Sequence, residues 1–369
     1  MQKTNRILAT RSPAGNAPGR PAPHPVLPPL LFARLLRHGL LLAVFLIPAL
    51  AAANIDTAEV FDDEPLGEDL HLPDWFKVSF LDLPEDLDEA IKNGKRGILL
   101  YFGQRRCPYC KAHLENNWGQ KDIVDYTQKY FDVIAINVRG NQTVIGLDGN
   151  EYTEKELAIK YDTNFTPSLV FIDRNGELAL RLRGYRPPYQ FRAALEYVAD
   201  EFYRKEPFSD YMARAEAAFS YGKDVLNEHE AFMPPPYALD RSRFPAQQPL
   251  LVLFERVNCH ACDVLHAGPL SDPRINTLLQ QIDVVRLDMR AATPVLTPGG
   301  QKTTARAWAK ELELDYAPTL IFYDERGREI IRIDSVVWFY RLRNVLNYVI
   351  SKGYRQFPTF QAWRQHHKR

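Results

Sequence analysis

From Pro84 onward the apolar positions switch between helical and strand-like spacing. Asp86 to Asn93 predicts a short helix. Gly97-Ile-Leu-Leu-Tyr-Phe102 is an unbroken apolar run of strand length. A Gly-Gln-Arg-Arg turn and Cys107-Pro-Tyr-Cys110 follow it. Residues 107–116 and 121–130 read as helical, and Phe131 to Val138 as a second core strand. Residues 139–152, with Gly140-Asn141 and Asp148-Gly149-Asn150, predict turns. Thr153 with Glu156 is a capping box that opens a helix through Tyr161. Thr166-Pro167 leads into strand Ser168–Asp173. Arg174-Asn175-Gly176 turns the chain into strand Glu177–Leu182, and Gln190 to Arg204 closes the block as a helix.

The pattern then starts again. At a shift of 151 residues, Pro167, Leu169, Phe171, Asp173 and Gly176 meet Pro318, Leu320, Phe322, Asp324 and Gly327. Leu195, Tyr197 and Pro207 likewise meet Leu346, Tyr348 and Pro358. At a shift of 152, strand 97–102 meets Pro249–Phe254, and Cys107 and Cys110 meet Cys259 and Cys262. This is an internal duplication. It divides the chain into a first domain over 81–207 and a second over 244–369. Residues 208–243, with Pro234-Pro235-Pro236, link them. Each copy is α/β: a central mixed sheet flanked by helices. The last two strands form an antiparallel hairpin, and the earlier ones, joined by crossover helices, should be parallel.

Charge changes the picture at the amino terminus. Residues 1–53 hold six of the 46 Lys and Arg and none of the 46 Asp and Glu, so the rest carries −6. That balance offers no footprint for nucleic acid or anionic lipid. Arg34, Arg37 and His38 precede an apolar run from Leu40 to Leu50, with small residues at Ala49, Ala51 and Ala53. The segment reads as a signal peptide or, if retained, an N-terminal anchor, and implies export to the periplasm. Residues 54–80 are acidic and read as an extended, solvated linker.

All four cysteines fall in two CxxC pairs. Loops this small constrain the unfolded chain least, so the pairs are poor staples and point to chemistry. A CxxC between a core strand and a helix is a redox arrangement. Cys107 would sit at the helix N-terminus, where free N–H groups stabilise a thiolate. Cys110, on the same face and shielded, would resolve the mixed disulfide.

Residues 84–205 and 244–355 resemble the thioredoxin superfamily. The resemblance rests on Tyr101-Phe-Gly-Gln-Arg-Arg-Cys-Pro-Tyr-Cys110, Phe165-Thr-Pro-Ser-Leu169 and Gly184-Tyr185. Its nearest form is the periplasmic SoxW-like group associated with sulfur oxidation and cytochrome maturation. The resemblance implies two tandem thioredoxin folds and a cis-Pro167 facing Cys107. It implies that Thr166 offers backbone groups to a substrate strand. Pro318, after Ala317, is the matching residue near Cys259 and Cys262. It further implies protein thiol or disulfide substrates, a membrane thiol donor, a reductase or isomerase direction, and no cofactor. One departure stands out. The carboxylate such proteins carry six residues before the first cysteine is Tyr101 here and Leu253 in the second copy. Glu115 or water is the expected substitute.

Other readings stay open. His260 between the second pair of cysteines would favour a thiolate, yet the second copy could equally be a binding scaffold. Soft thiolates also suit Cu(I), so a metallochaperone that uses both pairs is the alternative from another class. His113 and His266 could add ligands, although each alone reads as a surface helix residue. Arg105 and Arg106 read equally as a thiolate-stabilising charge or as solvated loop. Trp118 could pack near the site.

Overall fold

The computed structural model describes residues 61–217 and 225–367. The signal-peptide or anchor reading of residues 1–53 lies outside them. In chain order the first domain comprises α1 (Leu83–Lys92), β1 (Gly97–Gly103), α2 (Pro108–Ala112), α3 (Lys121–Tyr130), β2 (Phe131–Asn137), β3 (Thr143–Ile145), β4 (Glu151–Thr153), α4 (Glu154–Lys160), β5 (Ser168–Asp173), β6 (Leu178–Arg183) and α5 (Pro188–Ala199). α6 (Phe208–Ala217) and β7 (Tyr237–Ala238) lie in the segment read as a linker. The second domain comprises β8 (Leu250–Glu255), α7 (His260–Ala267), α8 (Pro273–Leu279), β9 (Asp283–Asp288), β10 (Pro294–Leu296), β11 (Lys302–Thr304), α9 (Ala305–Glu311), β12 (Thr319–Tyr323), β13 (Glu329–Ile333), α10 (Phe339–Ile350) and α11 (Phe360–His366).

Both main sheets have the same topology, β2-β1-β5-β6 and β9-β8-β12-β13. β1 is parallel to β2 and antiparallel to β5, and Gly97 faces Phe131 on one side and Asp173 on the other. Every residue of β1 and β8 is buried. Helices cover both faces of these central strands, which is why their sequences are continuous apolar runs rather than alternating ones. Gly97 holds φ +153°, and a Cβ there would overlap the Ile172 carbonyl oxygen across the sheet. The β1–β5 pairing therefore requires glycine at its edge. The Thr153–Glu156 capping box forms as its spacing predicts. Residues 139–152 differ from the simple turns expected, because they pair as the short hairpin β3–β4.

The leader is partly docked in its described part, although Val78 and Phe80 stay exposed. Phe61 packs edge-on against Tyr109 at 4.9 Å, and Trp75 and Phe76 close on Trp118 at 5.5 and 5.1 Å. Asp63 is buried. Apolar residues interleaved with the acidic ones drive this docking, and a count of charges alone hides them.

The domains meet through copies of one loop. Arg183 donates to Asp334 at 2.8 and 3.1 Å. The Val336 N–H donates to the Tyr185 carbonyl at 3.2 Å. Gly184, with φ +85°, leaves no room for a Cβ beside the Ser335 hydroxyl. Residues 183, 184 and 185 are the repeat equivalents of 334, 335 and 336, so the contact has pseudo-twofold character. Burial works against the Asp334 carboxylate, but Arg183 and Arg186 hold it below its ordinary range. α11 strengthens the contact, with Phe360 against Phe165 at 5.5 Å and Gln361 donating to the Asn164 carbonyl at 2.8 Å.

Behind α2 lies an aromatic layer. A π-turn over His113–Asn117 continues that helix, and His113 lies on the same inward face as Tyr109 and Cys110, four and three residues before it. His113 is fully buried rather than on the surface. It lies 4.4 Å from Trp118, 4.7 Å from Phe191, and stacks on Tyr101 at 6.2 Å. Its Nδ1 is 2.8 Å from Asn117 Nδ2, which also donates to the Arg186 carbonyl at 3.0 Å. Burial pushes the imidazole pKa down to about 3. Because the folded value lies below the unfolded one, the neutral ring stabilises the fold fully above about pH 6.5 and loses that contribution as pH falls towards 3. We expect urea unfolding to show a decline of about 1.4 kcal/mol per pH unit between pH 6 and 4 from this group, and His113→Leu to flatten it. An unchanged slope in the variant would place the proton uptake elsewhere.

Candidate functional site

β1 delivers the chain to Cys107, the N-cap of α2, and Pro108 occupies the first helical turn, where its missing N–H costs nothing. The Cys110 N–H points at Cys107 Sγ, 3.0 Å away. The two cysteines are joined as a disulfide with Cα atoms 5.1 Å apart. Cys107 is nearly buried and Cys110 fully so. The Thr166–Pro167 peptide bond is cis and brings Thr166 against the cysteine. Thr166 Oγ1 lies 3.2 Å and its carbonyl oxygen 3.6 Å from Cys107 Sγ. Gln104 Nε2 donates to that hydroxyl at 2.6 Å, which leaves the hydroxyl proton free to face sulfur. A thiolate formed on Cys107 would thus meet a helix N–H and a hydroxyl donor, both of which lower a thiol pKa.

The second site repeats the frame with fewer donors. Cys259 caps α7, receives the Cys262 N–H at 3.1 Å, and is disulfide-bonded to Cys262. Ala317–Pro318 is also cis, and the Ala317 carbonyl oxygen is 3.5 Å from Cys259 Sγ. Alanine supplies no hydroxyl there. His260 is exposed.

Neither position six residues before the first cysteine carries a charge. Burial pushes the Tyr101 phenol well up, so it stays protonated, and Leu253 is core. Glu115 is not a substitute: it faces outward, 3.9 Å from Lys111. The second domain has instead a carboxylate that sequence reasoning missed. Glu255, on the end of β8, is completely buried, and its Oε1 lies 2.9 Å from His266 Nε2. Its Oε2 has no hydrogen-bond partner among the described residues. Leaving such an atom unpaired costs about 1–3 kcal/mol. His266 follows Cys262 by one helical turn and so shares its face. The first domain has Gly103 and Leu114 at these positions. A Glu closing an otherwise apolar strand was the available signal.

The first site also draws on distant chain segments. The Tyr109 hydroxyl donates to Asp63 Oδ2 at 2.7 Å and accepts the Trp338 N–H at 2.8 Å. Asp63 also accepts the Tyr340 and Arg341 N–H groups at 2.8 and 2.7 Å, and thereby caps α10, whose own N-cap residue supplies no side-chain bond. The Arg341 guanidinium lies 3.3 Å above the Tyr109 ring centre. Its Nη2 donates to the Thr166 carbonyl at 2.9 Å. Nothing in the spacing of Asp63 or Arg341 marks either one. Arg106 is largely exposed and pairs with Asp69 at 2.8 Å, and Arg105 with the same carboxylate at 3.8 Å. Trp118 packs behind α2, against His113 and Phe191. Among the described residues, no group of three or more His, Cys, Asp or Glu is placed to hold a metal ion.

A thioredoxin-like domain model matches residues 83–199 and again 244–350. Among solved structures, the chain is similar to a thioredoxin-fold protein from Helicobacter pylori, at 28% identity over 39% of this chain and 89% of that one, TM-score 0.31. It is also similar to a thioredoxin from Thermus thermophilus, at 27% identity over 32% and 83%, TM-score 0.26. A third is a disulphide isomerase from Xylella fastidiosa Temecula1, at 21% identity over 37% and 97%, TM-score 0.23. No curated protein matches the chain. The two domain matches together span more than half of the chain, which therefore belongs to the thioredoxin-like family and carries its domain twice.

Proposed function

We propose that the chain is an exported thiol–disulfide oxidoreductase that works on protein disulfides in the periplasm as a reductase or isomerase. The observation that carries this reading is Cys107 Sγ at a helix N-cap, with the Cys110 N–H at 3.0 Å and the Thr166 hydroxyl at 3.2 Å. In the reduced protein the Cys107 thiolate attacks one sulfur of a substrate disulfide. A mixed disulfide forms, and the other substrate sulfur leaves as a thiolate that takes up a proton. Cys110 then loses its proton and attacks Cys107 Sγ, which closes the Cys107–Cys110 disulfide and frees the second substrate thiol. A membrane thiol donor returns two electrons and two protons. The second pair cycles in the same way, and Glu255, buried at the end of β8 with one unpaired carboxylate oxygen, is the group we assign to take up the Cys262 proton.

Equilibration with glutathione buffers measures the direction. We expect the Cys107/Cys110 pair near the thioredoxin value of about −270 mV. A value near about −120 mV would make it a disulfide donor instead. Cys107→Ser should lower reduction of insulin disulfides to what the second pair supplies, and Cys107→Ser combined with Cys259→Ser should abolish it. If Cys259→Ser spares turnover and weakens substrate capture, the second domain is a scaffold. If the reduced protein binds Cu(I) tightly at both pairs and reduces no disulfide, it is a metallochaperone.

The Glu255 role is read in a Cys107→Ser/Cys110→Ser background. Closure of the Cys259–Cys262 disulfide should slow by about 10²-fold at pH 7 in Glu255→Gln, the lower end of general-base contributions. The variant should recover as pH rises, because hydroxide can then remove the Cys262 proton. A parallel pH profile in parent and variant would assign Glu255 to structure alone.

A further inference from the structure

Cys107 is not open to a polypeptide in this structure. Its sulfur is nearly buried under a cleft of about 30 Å³, room for two or three water molecules but not for a peptide strand. Two segments remote in sequence close that cleft. From the leader comes Asp63, buried, with hydrogen bonds from Tyr109, Tyr340 and Arg341. From the second domain comes Arg341, whose guanidinium covers the ring between the two cysteines and occupies the Thr166 carbonyl. That carbonyl lies beside the reactive sulfur and already accepts from Arg341, whose guanidinium stands where an extended substrate strand would have to approach.

The three groups hold one another. Asp63 caps the first turn of α10 and so fixes the backbone of Arg341. Tyr109 bonds Asp63 through its hydroxyl and carries Arg341 on its ring face. Stacking of a guanidinium on an aromatic ring and a charge-assisted N-cap each contribute about 1–2 kcal/mol, enough to hold a closed state and little enough to release it. None of these side chains is required for sulfur exchange itself.

We propose that Asp63 and Arg341 form a latch that sets which disulfides reach Cys107. Closed, the latch bars a polypeptide strand and leaves only small reagents able to work their way to the sulfur. Open, with α10 and the leader displaced, it exposes Cys107 and the Thr166 carbonyl to a polypeptide. The proposal rests on Cys107 being the attacking thiol.

The test uses the full chain with Cys107 as its sole thiol (Cys110→Ser, Cys259→Ser, Cys262→Ser). Two labelling rates are compared, one for iodoacetamide and one for a maleimide carrying a long polyethylene-glycol chain. Adding Asp63→Ala should raise the bulky-reagent rate about tenfold or more and the iodoacetamide rate by less than about threefold, as expected when a closed population opens. Arg341→Met should do the same, with a thermal midpoint lowered by only a few degrees separating latch release from general loosening. Equal rises for both reagents would mean that the residues tune the thiol rather than gate it, and unchanged rates would mean that there is no latch; either overturns the proposal. A Cys107 inert to both reagents in every variant would overturn the attacking-thiol reading as well. Bulky labelling appearing only in the variants would support the latch.

Discussion

The contact between the two copies of one loop governs the arrangement of everything else. Arg183 and Asp334 occupy equivalent positions in the duplication but carry opposite charges, and they bond across the pseudo-twofold axis. A buried ion pair is a poor source of net stability, but removing one partner costs about 3–5 kcal/mol because the other is left buried and uncompensated. It therefore works as a register device. It permits one way for the domains to meet, and that way carries the start of α10 to the first cysteine pair. The asymmetry of charge at a symmetric position allows two halves that began alike to bind each other.

Once the halves are joined, their sites diverge. The first gains a hydroxyl at Thr166 and a neighbouring amide from Gln104, and it keeps its deep polar group, His113, neutral by burial. The second loses the hydroxyl and gains a buried carboxylate paired with a histidine. His113 and Glu255 are both fully buried, so each carries a desolvation cost that apolar packing would remove. That the two copies place different groups there suggests different proton demands, which fits a division of labour between the pairs.

The sequence made the repeat, the order of elements and both cysteine pairs legible, because these depend on local spacing and on apolar runs. Gly97-Ile-Leu-Leu-Tyr-Phe102 could be read as a fully covered strand without any partner being known. The cap positions of Cys107 and Cys259 followed from the same logic. Asp63, Arg341 and Glu255 were not legible in this way. Asp63 stands among similar acids, and its burial depends on Phe61 meeting a ring contributed by another domain. Arg341 has an ordinary helical setting, and only the domain contact turns it towards Thr166. His113 and Glu115 were misjudged although helical spacing was enough: His113 shares the face of the buried Tyr109 and Cys110, and Glu115 that of the exposed Lys111.

These omissions share a physical origin. Periodicity reports which face of an element is covered but not what covers it. In a duplicated chain the covering surface is the other copy, and the residues that matter are those at which the copies have ceased to match. Arg341 stands opposite Gln190, Glu255 opposite Gly103, and Asp334 opposite Arg183. The mismatches mark the domain contact, the second site and the closure over Cys107, whereas the matches mark the fold. Aligning a duplicated sequence with itself and reading the charged disagreements is thus a route to function that needs no second protein.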